Sequence, residues 1–317
     1  MSLPNHKLLI AKVIIVTSLG LLSAISAAAD SKNGFVLDGA SVPVNEIRRG
    51  GPGRDGIPSL DKPAFVTAEK AKFLRPDDRV LGVTLNNVQR AYPIRILNYH
   101  EIVNDRFGHR PIVITYCPLC GSGMAFDATI EGRHLIFGVS GLLYNSDVLL
   151  YDRQTGSLWS QIMSTAVTGT MKGTQLQSIP IAHTTWRDWK TRHPDTTVLS
   201  TKTRFQRNYR VNPYPNYGRS GRLYFPVAKE NSQYSRKSMV MGLEIDGRFK
   251  AYPFEELEKG PSLFQDRFRG QQFDVYYDEQ NQTARILDAD GNEVPTLIAF
   301  WFAWYAFHPE TDIHSVD

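Results

Sequence analysis

The stretch Val80-Leu-Gly-Val-Thr-Leu-Asn-Asn-Val-Gln-Arg-Ala-Tyr-Pro-Ile94 decides the fold, because it occurs twice in the chain. Two short apolar runs on either side of Asn86-Asn87 are typical of a β-hairpin. A second copy runs from Val240 to Phe254, at an offset of 160 residues, with Asp246-Gly247 at its turn. The chain therefore contains an internal duplication.

Two further motifs follow each hairpin in the same order. The strand-like run Val113-Ile114-Thr115-Tyr116 aligns with 274–277 at an offset of 161 residues. The motif Trp186-x-x-Trp189-x-x-x-His193-Pro194 recurs from Trp301 to Pro309. Its spacing puts the aromatic residues on one helical face, and the proline ends the helix. The sequence therefore predicts a β-rich α+β fold of two repeats, each with a β-hairpin, a central strand and a short aromatic helix.

The repeats differ in length. From Val80 to Trp186 the chain runs 106 residues, against 61 from Val240 to Trp301, so the first repeat holds about 45 extra residues. Function is often carried by such additions to a scaffold. The predicted segments are a signal peptide (1–29), an irregular N-terminal arm (30–65), the first repeat (66–200), a basic aromatic linker (201–238) and the second repeat (239–317).

The N-terminus has the pattern of a cleaved secretory signal. Lys7 and Lys12 precede or border an apolar run from Val13 to Leu22, and Ala27-Ala28-Ala29 supplies the small residues of a cleavage site. We therefore expect cleavage near Ala29 and a periplasmic or secreted protein.

Charge excludes one class of partner and favours another. Without residues 1–29 the chain keeps 34 basic and 32 acidic residues, and this balance argues against nucleic-acid binding. The linker 201–238 is different, with nine Lys or Arg, five tyrosines and one acid, Glu230. We expect it to be a connector between the repeats or a docking surface for an acidic protein or envelope partner.

The two cysteines of the chain lie in one element, Cys117-Pro-Leu-Cys-Gly121. Such a turn resembles the metal-binding turn of rubredoxins and zinc ribbons, in which the glycine accepts a positive φ. A thiol-disulfide oxidoreductase is an alternative, although Gly121-Ser122-Gly123 is poor helix material. A third hypothesis is a non-enzymatic protein that binds a partner or glycan and has a structural disulfide.

Two thiolates do not complete a metal site, so other ligands are needed. His100 lies just before the strand that leads to the cysteines and is the predicted third ligand; thiolates with imidazole favour copper or zinc. Glu101 and Asp105 are expected to orient the His100 ring. Further pocket candidates, from small or amide residues beside aromatics, are Asn145, Asp147, Trp159 and Gln161.

The second repeat has no cysteine at the equivalent turn, because Asp278 and Asn281 stand there. His193 and His308 occupy equivalent places in both repeats, so we expect them to be architectural. The predicted site therefore belongs to the first repeat alone.

Several motifs together resemble the DUF3179 family of bacterial and archaeal proteins. The residues that carry the resemblance are Asp55-Gly56-Ile57-Pro58, Ala91-Tyr92-Pro93-Ile94, His100-Glu101-Ile102-Val103-Asn104-Asp105, Thr115-Tyr116-Cys117-Pro118-Leu119-Cys120-Gly121-Ser122, Tyr151-Asp152-Arg153 and Trp186-x-x-Trp189-x-x-x-His193-Pro194. The resemblance implies that the cysteine turn and the His100 motif belong to the family pattern. It supplies no catalytic residue, and the motifs leave open whether the chain is an enzyme.

Overall fold

The computed structural model describes residues 1–2 and 30–316 of the chain. The predicted signal peptide falls on residues 3–29 for nearly all of its length, outside the described residues. Within the described part, no helix is long and apolar enough to cross a membrane.

The protein is mostly β, with 40% of the described residues in strands and 11% in helices. Five small sheets are arranged as the blades of a five-bladed β-propeller. The α+β class predicted from the sequence is not confirmed, because each aromatic helix has only seven residues, Trp186–Arg192 and Trp301–Phe307. The remaining α-helices, Ile94–Leu97 and Phe254–Leu257, are single turns.

The blades are named here by their origin, with strands in spatial order. The first hairpin blade consists of Ala182–Thr185, Arg79–Leu85, Val88–Pro93, Thr197–Leu199 and Phe65–Thr67, and the second of Thr296–Phe300, Met239–Ile245, Arg248–Pro253 and Asp312–Ile313. The cysteine blade consists of Ser178–Ile179, Ser122–Asp127, Arg110–Cys117 and Ile102–Phe107, and its counterpart of Leu263–Phe268, Gln271–Asp278 and Thr283–Leu287. The inserted blade consists of Thr165–Ala166, Leu158–Ser160, Asp147–Asp152, Phe137–Tyr144 and Arg48–Arg49.

Minor elements lie outside these blades. Two small hairpins pair Ser31–Lys32 with Phe35–Val36 and Thr129–Ile130 with Arg133–His134. Single 3-10 turns occur at Val44–Glu46, Ala68–Lys70 and Tyr217–Arg219.

The duplication is visible in the strand registers. Gly82 pairs with Ala91 in the first hairpin blade, and Gly242 pairs with Ala251 in the second. A short strand then adds in parallel to each hairpin, after the aromatic helix. The two copies thus share pairing as well as sequence.

The extra residues of the first repeat form most of the inserted blade. Its strands from Phe137 to Ala166 have no equivalent in the short connection from Leu287 to Thr296. The N-terminal arm, expected to be irregular, contributes the edge strand Arg48–Arg49 to this blade. The largest apolar cluster joins the inserted, cysteine and second hairpin blades, with Trp159, Cys117 and Trp301 among its buried members. The cysteines therefore lie in the core where three blades meet.

Candidate metal centre

The cysteine turn closes a hairpin at the end of the cysteine blade. Cys117 is the last residue of its strand and pairs with Ser122. Gly121 has a φ of +63°, as the glycine of such a turn requires. The backbone N–H of Phe300 donates to the Cys120 carbonyl at 2.8 Å, so the second hairpin blade holds the turn in place.

Both cysteines are free thiols that are almost completely buried, with exposed fractions of 1% for Cys117 and 0% for Cys120. Their thiols approach one acceptor, the Ser146 carbonyl oxygen, at 3.7 Å and 3.5 Å. Ser146 belongs to the two-residue turn that joins two strands of the inserted blade. Asn145 and Ser146 both have positive φ, at 49° and 64°, as a tight hairpin turn needs. The turn therefore presents its backbone to the sulfurs.

The same turn places Asp147 beside the thiols. Ligand atoms of Cys117, Cys120 and Asp147 all lie within 4.8 Å of one another, the one such group of three found among the described residues. Asp147 Oδ2 accepts the Ile162 N–H at 3.1 Å, whereas Oδ1 is buried without a hydrogen-bond partner. A buried, unpartnered carboxylate oxygen is costly unless another group satisfies it.

Burial controls the electrostatics of this cluster. It raises the pKa of both thiols above the usual value, and the Asp147 charge raises them further. Burial also raises the pKa of Asp147 to about 7 and, together with the Asp147 charge, that of Glu101 to about 8. Without a cation, the cluster therefore resists ionisation.

Glu101 lies in the turn after the single-turn helix Ile94–Leu97. Its φ is +56°, and its backbone is fixed by hydrogen bonds to Leu97 O and from Tyr116 N, both of 2.7 Å. The side chain lines a cavity of about 280 Å³ that also borders Cys117. Glu101 thus faces the cysteine cavity, although the sequence suggested that it orients His100.

His100 is not brought together with the cysteines. Nδ1 lies 2.7 Å from Pro58 O, and Nε2 lies 2.6 Å from the Tyr209 hydroxyl. Because a carbonyl oxygen only accepts, Nδ1 donates and Nε2 accepts from Tyr209. Both nitrogens are therefore occupied, and the residue that lies with the two cysteines is Asp147 rather than His100.

Asp105, the other predicted partner of His100, supports the fold instead. Its carboxylate accepts hydrogen bonds from Arg90 at 2.5 Å and from the Tyr92 hydroxyl at 2.5 Å. Asp266 binds the Tyr252 hydroxyl at 2.8 Å at the equivalent place in the second repeat. A contact present in both copies, only one of which has cysteines, is architectural.

Gln161 connects two blades next to the site. Its amide accepts from the Ser122 hydroxyl at 2.7 Å and donates to Thr115 Oγ1 at 2.8 Å. All three side chains are buried. Gln161 thus fixes the cysteine hairpin against the inserted blade.

The remaining pocket candidates also have supporting positions. Asn145 Oδ1 accepts from Ala228 N at 2.8 Å, which attaches the segment 201–238 to the inserted blade. Trp159 is fully buried and donates from Nε1 to Asp152 Oδ2 at 3.0 Å. Neither residue belongs to the group of three ligand atoms.

Residues of the segment 201–238, which the motifs did not connect with the cysteines, lie next to the site. Tyr214 and Tyr224 line the cysteine cavity. Lys237 Nζ lies 3.0 Å from the ring centroid of Tyr217, and burial lowers the pKa of Lys237 to about 8 although the Cys120 charge opposes this shift. The five tyrosines of this segment could have indicated a contact with the site, but their number alone does not show which surface they cover.

The equivalent turn of the second repeat is closed by hydrogen bonds. Asn281 Nδ2 donates to Asp278 Oδ2 at 2.7 Å, and Asn281 N donates to Asp278 Oδ1 at 3.0 Å. The turn thus forms without thiols.

A comparison with family models identifies the family of the chain. A family model described as a protein of unknown function, DUF3179, matches residues 54–311, which include the first repeat, most of the second and all three residues of the Cys117, Cys120 and Asp147 group. No curated protein and no solved structure gives a match. The match spans most of the chain and confirms the resemblance read from the motifs. The chain therefore belongs to the DUF3179 family.

Proposed function

We propose that the protein binds one zinc or copper ion through Cys117, Cys120 and Asp147. Two observations carry this proposal: a carboxylate oxygen of Asp147 lies with both sulfurs in a group no wider than 4.8 Å, and Asp147 Oδ1 is buried without a hydrogen-bond partner among the described residues. A bound cation would satisfy that oxygen and stabilise the thiolates, whose ionisation burial otherwise opposes.

The donor set favours zinc over copper(I). Zinc accepts thiolate sulfur at about 2.3 Å and carboxylate oxygen at about 2.0–2.2 Å, so a small contraction of the cluster would meet its geometry. Copper(I) prefers soft ligands and gains less from a carboxylate. Three protein ligands leave a fourth position, and the cavity next to Cys117 is where an exchangeable ligand would enter. Metal handling and metal-assisted chemistry both need such an open position.

Thiol-disulfide exchange is less compatible with this geometry. The attacking species is the thiolate, and reactive cysteines are accessible with a lowered pKa. Here burial raises the pKa of both thiols and removes them from solvent.

Metal analysis of the variants tests the proposal. Reduced protein, loaded with zinc or copper(I) without oxygen and dialysed, should retain about one ion per chain by mass spectrometry of the metal. Asp147→Asn and Cys117→Ser should each weaken binding by at least about tenfold. Asp152→Asn is the matched control, because Asp152 is a buried residue at the other end of the same strand, and its carboxylate accepts hydrogen bonds, among the described residues, only from Thr155 and Trp159. Full retention by the double Cys117→Ser, Cys120→Ser variant would contradict the proposal.

We also propose that the protein works outside the cytoplasm. The support is the N-terminal pattern of Lys7, an apolar run and Ala27-Ala28-Ala29. N-terminal sequencing of the protein recovered from the periplasm or medium of its expression host tests this, with Asp30 expected as the first residue. Retention of Met1 on cytoplasmic protein alone would contradict it.

A further inference from the structure

The cavity beside Cys117 is formed where three further parts of the chain meet the cysteine turn. The arm contributes Pro52 and Ile57, the inserted blade contributes Leu143, and the segment 201–238 contributes Tyr214. The arm, the inserted blade and the segment 201–238 all lie outside the elements that the two repeats share. Three parts of the chain outside the duplicated elements thus border this cavity, together with the cysteine turn.

The lining of the cavity includes one carboxyl group. Among the described residues that border it, Glu101 is the only carboxylate, and there is no Lys or Arg. The Glu101 carboxyl group makes no hydrogen bond with another described residue, although only 7% of the residue is exposed. Most of the other lining groups are aliphatic or aromatic. A single hydrogen-bonding carboxyl group in apolar surroundings selects a ligand with an apolar body and one donor group.

We propose that this cavity binds a small primary amine with an apolar body. The ammonium group would donate to the Glu101 carboxylate, and the body would pack on Ile57, Leu143 and Tyr214. A volume of about 280 Å³ is at the lower end of ligand pockets, which admits a ligand of about one aromatic ring. The inference rests on the proposed function in one respect, since a ligand bound there lies beside the metal that Cys117 would hold.

Three probes with the same ring and head groups of similar size separate the head groups: benzylamine, benzyl alcohol and benzoate. Calorimetry on reduced, chelator-treated protein, at a pH just above the Glu101 pKa of about 8, should show benzylamine binding at least about tenfold more tightly than benzyl alcohol, with benzoate weakest, because one charge-assisted hydrogen bond is worth about a factor of ten. Glu101→Gln keeps the shape of the side chain and should abolish the preference for the amine. Equal or tighter binding of benzoate, or an unchanged preference in Glu101→Gln, would overturn the proposal.

Variants that fill the cavity locate the binding. Ile57→Trp should reduce benzylamine affinity about tenfold or more, and Leu143→Phe is a second variant should the first fail to fold. Benzylamine binding that persists unchanged in a folded filling variant would also overturn the proposal. Repeating the titration on zinc-loaded protein separates this inference from the metal proposal. Amine binding without metal binding would contradict only the metal proposal. Metal binding without amine binding would contradict only the proposal of an amine ligand.

Discussion

The indole of Trp189 lies directly against Gly82, so that a Cβ added at Gly82 would be 2.2 Å from Trp189 Cε3. Trp304 covers Gly242 in the same way. We expect Gly82→Ala to lower the free energy of unfolding by about 2–3 kcal/mol, because a buried ring would have to move. Gly221→Ala is the control, since a Cβ there meets nothing within 4 Å. Urea unfolding measures both, and equal stability of the two variants would contradict this packing.

Metal binding should release protons from the thiols. Burial raises the pKa of Cys117 and Cys120, so both are protonated in metal-free protein at neutral pH, whereas a bound metal takes thiolates. At a pH above the Asp147 pKa of about 7, zinc binding should therefore release about two protons, one from each thiol. At a lower pH it should release more than two, because Asp147 also loses its proton. A pH-indicator titration in weak buffer counts them, and the apparent zinc affinity should fall as the pH is lowered. Release of no protons would be inconsistent with thiolate ligands.

The stability of the metal-free protein should fall as the pH rises through the Glu101 titration. The folded pKa of Glu101 is about 8 against an ordinary 4.5, so between these values the folded state binds the extra proton. Unfolding then becomes easier with rising pH. Buried histidines have lowered pKa values, such as about 3 for His308. They make the stability rise with pH, but only at pH values below the ordinary histidine pKa of 6.5. Thermal unfolding from about pH 6.5 to 8 should show the decline, and Glu101→Gln should reduce it. If the stability of both proteins falls equally with pH, groups other than Glu101 cause the decline.

His100→Gln should reduce stability without removing the metal. The variant loses well-placed hydrogen bonds to Pro58 O and from Tyr209 in a fully buried position. A loss of about 1–3 kcal/mol is expected for a buried pair of this kind. Chemical denaturation gives the stability, and metal analysis of the same sample gives the stoichiometry. A folded variant that no longer binds metal would restore His100 as a ligand.

The native thiols should react slowly with iodoacetamide. Alkylation needs an accessible thiolate, and both cysteines are buried with a raised pKa. Denatured protein should label at both positions at the rate of ordinary thiols, and mass spectrometry of timed samples compares the two. Rapid labelling of one native cysteine would favour the thiol-disulfide oxidoreductase.

The repeated pattern made the duplication predictable from the sequence. The hairpins, the central strands and the aromatic helices each recur at a nearly constant offset, and local periodicity is sufficient to detect them. The short helix Trp186–Arg192 was predictable as well, because Pro194 marks its end, whereas the fold class was less accessible. The blade arrangement depends on pairings between distant segments, such as Arg48–Arg49 with the inserted blade.

The candidate site was predictable only in part. Cys117 and Cys120 lie three positions apart in one turn, so the sequence alone groups them. Asp147 was expected to line a pocket, but its place beside the sulfurs depends on a hairpin turn of a different blade, about 30 residues further on. The hydrogen bond of His100 to Tyr209 was not predictable, because Tyr209 lies 109 positions away in a segment without regular pattern. Contacts between residues so far apart in the chain cannot be predicted from local sequence patterns.

The Asp278–Asn281 hydrogen bonds have an evolutionary consequence. They close the turn without thiols, so the fold of this turn does not depend on sulfur chemistry. The second copy is then constrained only by the geometry of its turn, whereas the proposed metal site would add a constraint on the first. Family members should accordingly tolerate drift at positions 278 and 281 as long as the turn closes, while positions 117, 120 and 147 should change together or not at all.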